Sequence, residues 1–203
     1  YQEWLSISPV RRDNGDLMYY VAIFSDMTTI NELRQRAHHD YLTGLFNRAA
    51  LHEPLDEEMG RTARYGDVFS LIMFDLDHFK AVNDSYGHDT GDRVLQQVAE
   101  LTLEEVRDID ITARWGGEEF MILLPATDGD RAQVLAERIR KRIARTAFAE
   151  AGHITISLGI AEVHAGESLQ DTLIRLDRAL YKAKETRNRS EMAQKPGPRE
   201  APR

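Results

Sequence analysis

Hydrophobic and polar positions between residues 40 and 189 follow two patterns. One is the spacing of apolar residues typical of helices, and the other is the continuous apolar run typical of buried strands. The run VFSLIMF, residues 68–74, is continuously apolar and predicts a strand covered on both faces. Leu51, Leu55 and Met59 recur every four residues and predict a helix over residues 48–65. The order of elements predicts an α/β (α+β) fold, a mixed sheet flanked by helices. The remaining predicted helices span 89–106, 130–145 and 168–185, and the remaining strands span 109–114, 120–125 and 153–163.

Residues 1–27 have a different pattern, with two β-rich segments, EWLSISPV and LMYYVAIFSD, on either side of the turn signal Asn14-Gly15. These segments predict an N-terminal β-hairpin. Two strands cannot bury a hydrophobic core on their own. The hairpin is therefore interpreted as the end of a larger domain or as a segment that packs on a neighbour.

Two further segments flank the central region. In residues 28–39, apolar positions recur at helical spacing in a narrow stripe, which predicts a linker or stalk helix. Residues 190–203 are polar and contain three of the six prolines, which predicts a disordered tail or linker. The chain is thus divided into a hairpin (1–27), a linker helix (28–39), a central domain (40–189) and a tail (190–203).

The composition narrows the possible functions. A formal net charge of -8 argues against binding nucleic acid through a basic face. The absence of cysteine excludes disulfides, thiolate metal sites and cysteine nucleophiles. No apolar run approaches the roughly 18 residues of a membrane span. We expect a cytoplasmic chain without membrane contact, in a parent protein that is still compatible with a membrane anchor elsewhere.

Carboxylates at the ends of two predicted strands are the first candidates for chemistry. Asp75 follows the buried apolar run, and Asp77 lies two residues further on. Gly116-Gly117 predicts a hairpin turn that presents Glu118 at the start of the next strand. If these strands are neighbours, Glu118 faces Asp75, and two carboxylates with a carbonyl suit Mg²⁺. Each motif by itself is more typical of a solvated loop or an ordinary tight turn.

Polar and basic residues elsewhere suit a nucleotide. In the predicted loop KAVNDSYGHDTGD, residues 80–92, Asn83 and Asp92 offer hydrogen-bonding groups that can read a guanine edge. Lys80, Lys184 and Arg187 are basic residues suited to triphosphate oxygens. The diglycine has no side chains and leaves room for a base or phosphate beside the backbone. Taken singly, each of these residues is more typical of an ordinary surface position.

Five segments resemble, in order and approximate spacing, the motifs of the GGDEF family, the diguanylate cyclases. They are DYLTGLFNR, FDLDHFKAVNDSYGHDTGD, RWGGEEF, TISLGIA and DRALYKAKETRNR. The resemblance covers residues 40–189, and the signature pentapeptide is the GGEEF variant, which active members also use. The segment EWLSISPVRRDNGDLMYYVAIFSDMT resembles the closing hairpin of a PAS sensor domain, with its late tryptophan and final D-x-T.

The resemblance implies a palm-like fold related to nucleotidyl cyclases. It implies a homodimer that condenses two GTP molecules into cyclic di-GMP, a bacterial second messenger, and two pyrophosphates. Asp75, the Leu76 carbonyl and Glu118 are implied to hold Mg²⁺, with Mn²⁺ as the alternative ion. Glu119 is implied to assist in holding the ion. Glu118 is also implied to accept the 3′-hydroxyl proton, and Lys80 is implied to stabilise the transferring phosphate.

The resemblance also implies substrate-binding and inhibitory residues. Guanine would be read by Asn83 and Asp92 with His88 nearby, and Gly116-Gly117 would border the nucleotide. Lys184 and Arg187 would hold the β- and γ-phosphates. Cyclic di-GMP would act as an allosteric product inhibitor at Arg107 and Asp110, which follow the family's R-x-x-D spacing, together with a second arginine on the next helix, Arg138.

One departure from the family pattern concerns the last helix, which usually carries K-x-x-G-R-N and here reads KETRN without the glycine. A continuous helix would turn Arg187 by about 100 degrees from its usual position. A helix that has already ended would let the following loop absorb the change. The missing glycine keeps open a second hypothesis, a catalytically weak regulatory module that binds GTP or cyclic di-GMP.

Overall fold

The computed structural model describes residues 3–12, 15–26 and 38–195, and the chain divides into two compact units, Tyr1–His38 and His39–Arg203. In the first unit, strands β1 (Glu3–Arg11) and β2 (Leu17–Asp26) pair antiparallel, as the sequence predicts. Apolar side chains such as Met18, Tyr19 and Tyr20 are all about half exposed or more on this hairpin. The predicted linker helix lies almost entirely outside the described residues.

The second unit is built around a six-stranded mixed sheet with the strand order β10-β9-β4-β6-β5-β3. Its strands are β3 (Phe46–Asn47), β4 (Phe69–Leu76), β5 (Ile111–Gly116), β6 (Glu119–Leu124), β9 (Ile156–Val163) and β10 (Ser190–Met192). A small separate hairpin consists of β7 (Ala147–Phe148) and β8 (Gly152–His153). The helices are a 3₁₀ turn (Ala49–Leu51), α1 (His52–Tyr65), α2 (Phe79–Tyr86), α3 (His88–Leu103), α4 (Gly129–Arg145) and α5 (Leu169–Thr186). The predicted fold class is confirmed.

Strand β4 lies inside the sheet between β9 and β6, and every one of its side chains is buried. It pairs antiparallel with both β6 and β9, and its alternate residues face two separate hydrophobic cores. Ile72, Phe74 and Leu76 pack in the core that includes residues of α3 and α4, where Phe74 stacks on Phe120. Phe69, Leu71 and Met73 pack in the core that includes residues of α1 and α5.

Helix α5 packs directly on the backbone of β9. A Cβ atom on Gly159 would lie 2.6 Å from both the Leu176 carbonyl oxygen and the Leu180 nitrogen. The glycine is therefore required for the close approach of helix and strand. This contact fixes the height of α5 above the sheet, and with it the position of the helix's C-terminal turn.

Two predictions about local structure are wrong. Residues 80–88, predicted as a loop before the helix that begins at residue 89, lie in α2 and at the start of α3, which are joined at Gly87 with a φ of 83°. Ser190–Met192, predicted as part of a tail or linker, form strand β10 parallel to β9, and the next residue, Ala193, is buried in the core that includes residues of α1 and α5. Residues 196–203 lie outside the described part of the chain. In the described residues, no helix is both long enough and apolar enough to cross a bilayer.

Candidate active site

The end of β4 places Asp75 between two partner strands. Asp75 lies directly opposite Glu119 of β6 on one side and Ser157 of β9 on the other. Its side chain is only 6% exposed. Opposite residues of an antiparallel pair project to the same face, so the side chains of Asp75 and Glu119 share one face of the sheet.

The hairpin that carries the signature is arranged differently from the sequence prediction. Gly116 still belongs to β5 and pairs with Glu119, so the turn residues are Gly117 and Glu118. Glu118 therefore lies in the turn, where its carbonyl accepts a hydrogen bond from the Leu76 nitrogen at 3.3 Å. The residue in register with Asp75 is Glu119, whereas the sequence predicted Glu118 in that position.

The two glycines supply space. Neither Gly116 nor Gly117 has a positive φ, so the backbone of the turn does not require glycine at these positions. A Cβ atom on Gly117 would meet no atom within 4 Å, and one on Gly116 would meet only the Glu119 carboxylate at 3.0 Å. The surface beside the turn is therefore open to a ligand.

An ion pair that the sequence analysis did not identify holds the signature turn. The Arg114 guanidinium donates to the Gly117 carbonyl at 2.7 and 3.1 Å and to both carboxylate oxygens of Asp40 at 3.1 and 3.2 Å. Burial favours a raised pKa for Asp40, but hydrogen bonds from Thr43 and Arg114 bring the pKa below its ordinary value. The signal in the sequence was the arginine two residues before the diglycine motif, together with the aspartate of DYLTG.

Lys184 supplies the positive charge at the candidate site. Its ammonium lies 2.6 Å from the Asp75 carboxylate. Burial raises the pKa of Asp75 to about 6; the contact with Lys184 opposes this shift, and the nearby negative charges of Glu118 and Glu119 add to it. Three carboxylates thus approach one another with a single ammonium bound to the most buried of them.

This donor set fits a hard divalent cation. The buried carboxylate of Asp75 is disfavoured in its charged form by its surroundings, and two more carboxylates add negative charge, so a divalent ion would relieve the imbalance. The predicted ligands are two carboxylates and the carbonyl of Leu76. Within residues 38–195 and the described hairpin, no group of three or more His, Asp or Glu side chains is already arranged to hold a metal ion.

Asp77 has a structural role. Strand β4 ends at Leu76, and the Asp77 carboxylate accepts hydrogen bonds from the hydroxyls of Thr155 and Ser157 at 2.6 and 2.7 Å and from the Asn188 nitrogen at 2.9 Å. These bonds join the ends of β4, β9 and α5. Asp77 therefore keeps the C-terminal turn of α5, with Lys184, close to Asp75.

The predicted guanine-reading residues come from two adjacent helices. Asn83 of α2 has a buried side-chain oxygen without a hydrogen-bond partner, and a Cβ atom on Gly91 of α3 would lie 1.9 Å from that oxygen. Any side chain at position 91 would therefore displace Asn83. Asp92 and His88 are exposed on α3, and Lys80 is exposed in the first turn of α2.

Arg187 lies beyond the last helical turn. Helix α5 ends at Thr186, and Arg187 has φ 60° and ψ 171°, a conformation that is almost exclusive to glycine. The loop therefore absorbs the missing glycine, and the 100-degree rotation expected for a continuous helix does not apply. The Arg187 side chain is exposed, and it forms no ion pair with any of the described residues.

The predicted inhibitory residues are only partly brought together. Arg107 forms a two-pronged ion pair with Asp110, at 2.6 and 3.1 Å, and also donates to the Thr127 hydroxyl at 2.8 Å. Hydrogen bonding to Asp110 raises the pKa of the Arg107 guanidinium further. Arg138 instead pairs with Glu105, and its guanidinium also contacts the Glu105 carbonyl.

These features define a mixed α+β domain with a carboxylate-bearing hairpin beside the end of its central strand. The family profile described as "Diguanylate cyclase, GGDEF domain" matches residues 37–190. The chain therefore belongs to the GGDEF family of diguanylate cyclases.

Individual relatives agree with this assignment. The chain is 44% identical over 168 residues to the diguanylate cyclase DgcP of Pseudomonas aeruginosa, covering 81% of this chain and 25% of DgcP. The coiled coil and GGDEF domain of Caulobacter crescentus DgcB, in complex with c-di-GMP, superpose with a TM-score of 0.76 at 34% identity, covering 81% of this chain and 90% of that one. The active GGEEF domain of a Vibrio cholerae diguanylate cyclase gives 0.70 at 38% identity, covering 74% and 98%. The chain spans only a quarter of DgcP.

Proposed function

We propose that the chain is a diguanylate cyclase module. Two GTP molecules, one on each of two copies of the domain, react with each other. Each 3′-hydroxyl oxygen forms a bond to the α-phosphorus of the other GTP, the bond from that phosphorus to pyrophosphate breaks, and each hydroxyl loses its proton. The products are cyclic di-GMP and two pyrophosphates. The observation that carries the proposal is the convergence of Asp75, Glu118, Glu119 and Lys184 at one end of the sheet.

The metal site of this proposal uses Asp75, the Leu76 carbonyl and Glu118, and Mg²⁺ or Mn²⁺ is the ion that suits these ligands. When bound, the ion supplies positive charge at the phosphates undergoing transfer. Glu118 accepts the proton of the 3′-hydroxyl, with Glu119 beside it. Lys80, exposed in the first turn of α2, stabilises the charge that develops on the transferring phosphate.

The nucleotide is held by groups on three elements. Asn83 and Asp92 bind the guanine edge, and the unpartnered side-chain oxygen of Asn83 supports this role because a buried acceptor without a partner is costly. His88 lies at the start of α3 near these groups. The β- and γ-phosphates contact Lys184 and Arg187, and the open surface at the diglycine gives the phosphates access to the backbone.

The N-terminal unit fits a regulatory role in this proposal. Its hairpin exposes large apolar side chains, which is expected of a fragment separated from the rest of a sensor domain such as PAS. The helix predicted for residues 28–39, a segment that lies outside the described residues apart from its end, would connect that sensor to the cyclase and set the geometry of the catalytic homodimer. GTP is a cytoplasmic metabolite, so the reaction belongs in the cytoplasm.

Incubation of the chain with GTP and Mg²⁺, followed by separation of the products, tests the proposal. We expect cyclic di-GMP and pyrophosphate in a 1:2 ratio, with a rate per protein that rises with protein concentration because two domains must meet. Glu118→Ala is expected to lower the rate by about 10³-fold or more. Glu57→Ala, an exposed position on α1, is the matched control and is expected to leave the rate unchanged.

The alternative function has a distinct result in the same experiment. GTP or cyclic di-GMP binding without turnover, at protein concentrations high enough for a dimer to form, would replace the cyclase with a regulatory binding module. The strained backbone at Arg187 is the feature that favours this alternative, because it alters the segment assigned to the phosphates.

We further propose that cyclic di-GMP inhibits the module at Arg107, Asp110 and Arg138. Support comes from the Arg107–Asp110 pair, which presents an exposed guanidinium held in a fixed plane by a buried carboxylate. A guanidinium in this state can bind a phosphate with two hydrogen bonds. The structure of DgcB, a protein of similar fold, is a complex with c-di-GMP, which supports product binding by the module.

Arg107→Ala is expected to raise the concentration of cyclic di-GMP that halves the activity by about tenfold or more, because a charged hydrogen-bond partner is lost. Initial rates at increasing product concentration measure this effect. Arg142→Ala is the control: Arg142 is similarly exposed and also pairs with an acid, Glu104. Equal inhibition of both variants and the unmodified chain would contradict the inhibitory assignment.

A further inference from the structure

The ion pair between Lys184 and Asp75 is the feature of the site that the proposed reaction does not explain. The Lys184 ammonium is assigned to the phosphates of GTP, yet it lies 2.6 Å from the carboxylate assigned to the metal. An ammonium bound to this carboxylate at this distance opposes the binding of a divalent ion to it, because the two positive charges repel.

Of the two partners, Lys184 is the one that can move. Asp75 is fixed in the central strand, paired on both sides, with a side chain that is 6% exposed. The Lys184 side chain is 39% exposed and extends from the last turn of α5 on a flexible four-carbon stem. Its ammonium can leave Asp75 without any movement of the helix, provided that another anion is available.

We propose that Lys184 is a built-in counter-cation that occupies the Asp75 carboxylate in the nucleotide-free chain and opposes metal binding until a triphosphate accepts its ammonium. The inference rests on the proposed function, and it adds a coupling between the binding of the nucleotide and the binding of the metal ion. Nucleotide phosphates draw Lys184 away and so favour the metal, and by reciprocity the metal favours the nucleotide.

The coupling predicts opposite effects of one substitution on two affinities. In Lys184→Met, Mn²⁺ is expected to bind the nucleotide-free chain about tenfold more tightly or better, because a competing charge is removed from its ligand. The same variant is expected to bind GTP with Mg²⁺ more weakly, because a phosphate contact is lost. Lys184→Arg keeps a cation near Asp75 and is expected to bind Mn²⁺ as weakly as the unmodified chain.

Titration of the nucleotide-free chain with Mn²⁺, followed by electron paramagnetic resonance of the free ion, measures the first affinity. Lys182→Met is the matched control: it removes the same charge from the same helix, but Lys182 pairs with Glu191 at 3.1 Å. We expect a change of less than about twofold in this control. Adding Asp75→Asn to Lys184→Met should abolish the gain, which would locate the ion at Asp75.

The inference is overturned if Lys184→Met binds Mn²⁺ no more tightly than the unmodified chain or the Lys182→Met control, including the case where none of them binds it measurably. The circular dichroism spectrum of each variant verifies that it is folded, and Lys184→Gln, which also removes the charge, takes the place of Lys184→Met if the methionine variant unfolds. Failure of the proposed function has a different signature, the absence of cyclic di-GMP synthesis by the unmodified chain. Synthesis with unchanged Mn²⁺ affinities would refute only the role of Lys184.

Discussion

Asp75→Asn is expected to lower cyclic di-GMP synthesis by about 10³-fold or more while making the nucleotide-free protein more stable at pH 8. Activity is lost because the amide carries no charge for a divalent ion. Stability rises because the carboxylate of Asp75 is buried beside two other negative charges, and burial is the larger cause of its raised pKa. Asparagine has nearly the shape of the protonated acid and removes this electrostatic cost.

The sign of the pH dependence follows from the same shift. The pKa of Asp75 is about 6 in the folded chain, against 3.8 for an unperturbed carboxyl, so the folded state binds the proton more tightly than the unfolded state. The contribution of Asp75 to stability is complete below about pH 4 and is lost as the pH rises through 6. Above pH 7 the loss is on the order of 1–3 kcal/mol, and Asp75→Asn should recover it.

Chemical denaturation at pH 5 and pH 8, with EDTA present, measures this prediction. The variant should gain the most stability over the unmodified chain at pH 8 and about half as much at pH 5, because the loss begins near the unfolded pKa of 3.8 and is complete only above the folded pKa of about 6. Asp77→Asn is the comparison, two residues away: its carboxylate accepts three hydrogen bonds, so the same substitution is expected to destabilise the chain by about 1–3 kcal/mol. Equal losses of stability in the two variants would show that Asp75 is not strained in its charged form.

Gly159→Ala is expected to destabilise the chain by about 2–3 kcal/mol, or about 5–10 °C in Tm. The new methyl group would lie 2.6 Å from two backbone atoms of α5, at Leu176 and Leu180. Backbone atoms within a helix cannot rotate away, so the whole helix must shift from β9. Because α5 carries Lys184 close to Asp75, we also expect catalytic activity to fall at temperatures where the variant remains folded.

Gly60→Ala provides the matched control for this prediction. Gly60 lies inside α1, and a Cβ atom there would meet nothing within 4 Å. The same chemical change is therefore expected to stabilise the chain by about 0.5–1 kcal/mol through helix propensity. Thermal and urea denaturation of both variants measure the difference. A Gly159→Ala variant as stable as the unmodified chain would mean that α5 does not rest on β9 as described.

Local patterns were sufficient for most of the regular structure. The continuous apolar run at β4 predicted a strand buried on both faces, and its side chains are all buried. The periodic helices were also predicted within a few residues of their bounds. The helix Phe79–Tyr86 was not, because its short polar sequence has too few apolar positions to show a period, and the packing of Phe79 in the core stabilises it.

Predictions about the site depended on how strands pair, which periodicity does not specify. The sequence placed Glu118 opposite Asp75, but the irregular pairing between Arg114 and Gly116 moves Glu118 into the turn and puts Glu119 in register. A shift of one residue changes which side chain projects to a given face. The Arg114–Asp40 pair joins residues 74 positions apart, and no local pattern indicates it.

The sequence by itself determined the fold class, the family and the identity of the candidate ligands, because periodicity and motif spacing are properties of short stretches of chain. Only the tertiary structure decided which of these residues meet. The pairing of β4 with β6 and the close packing of α5 on Gly159 bring a lysine and three carboxylates from distant segments to one end of the sheet. Charges interact through space, so this contact and the pKa of Asp75 exist only once the chain has folded.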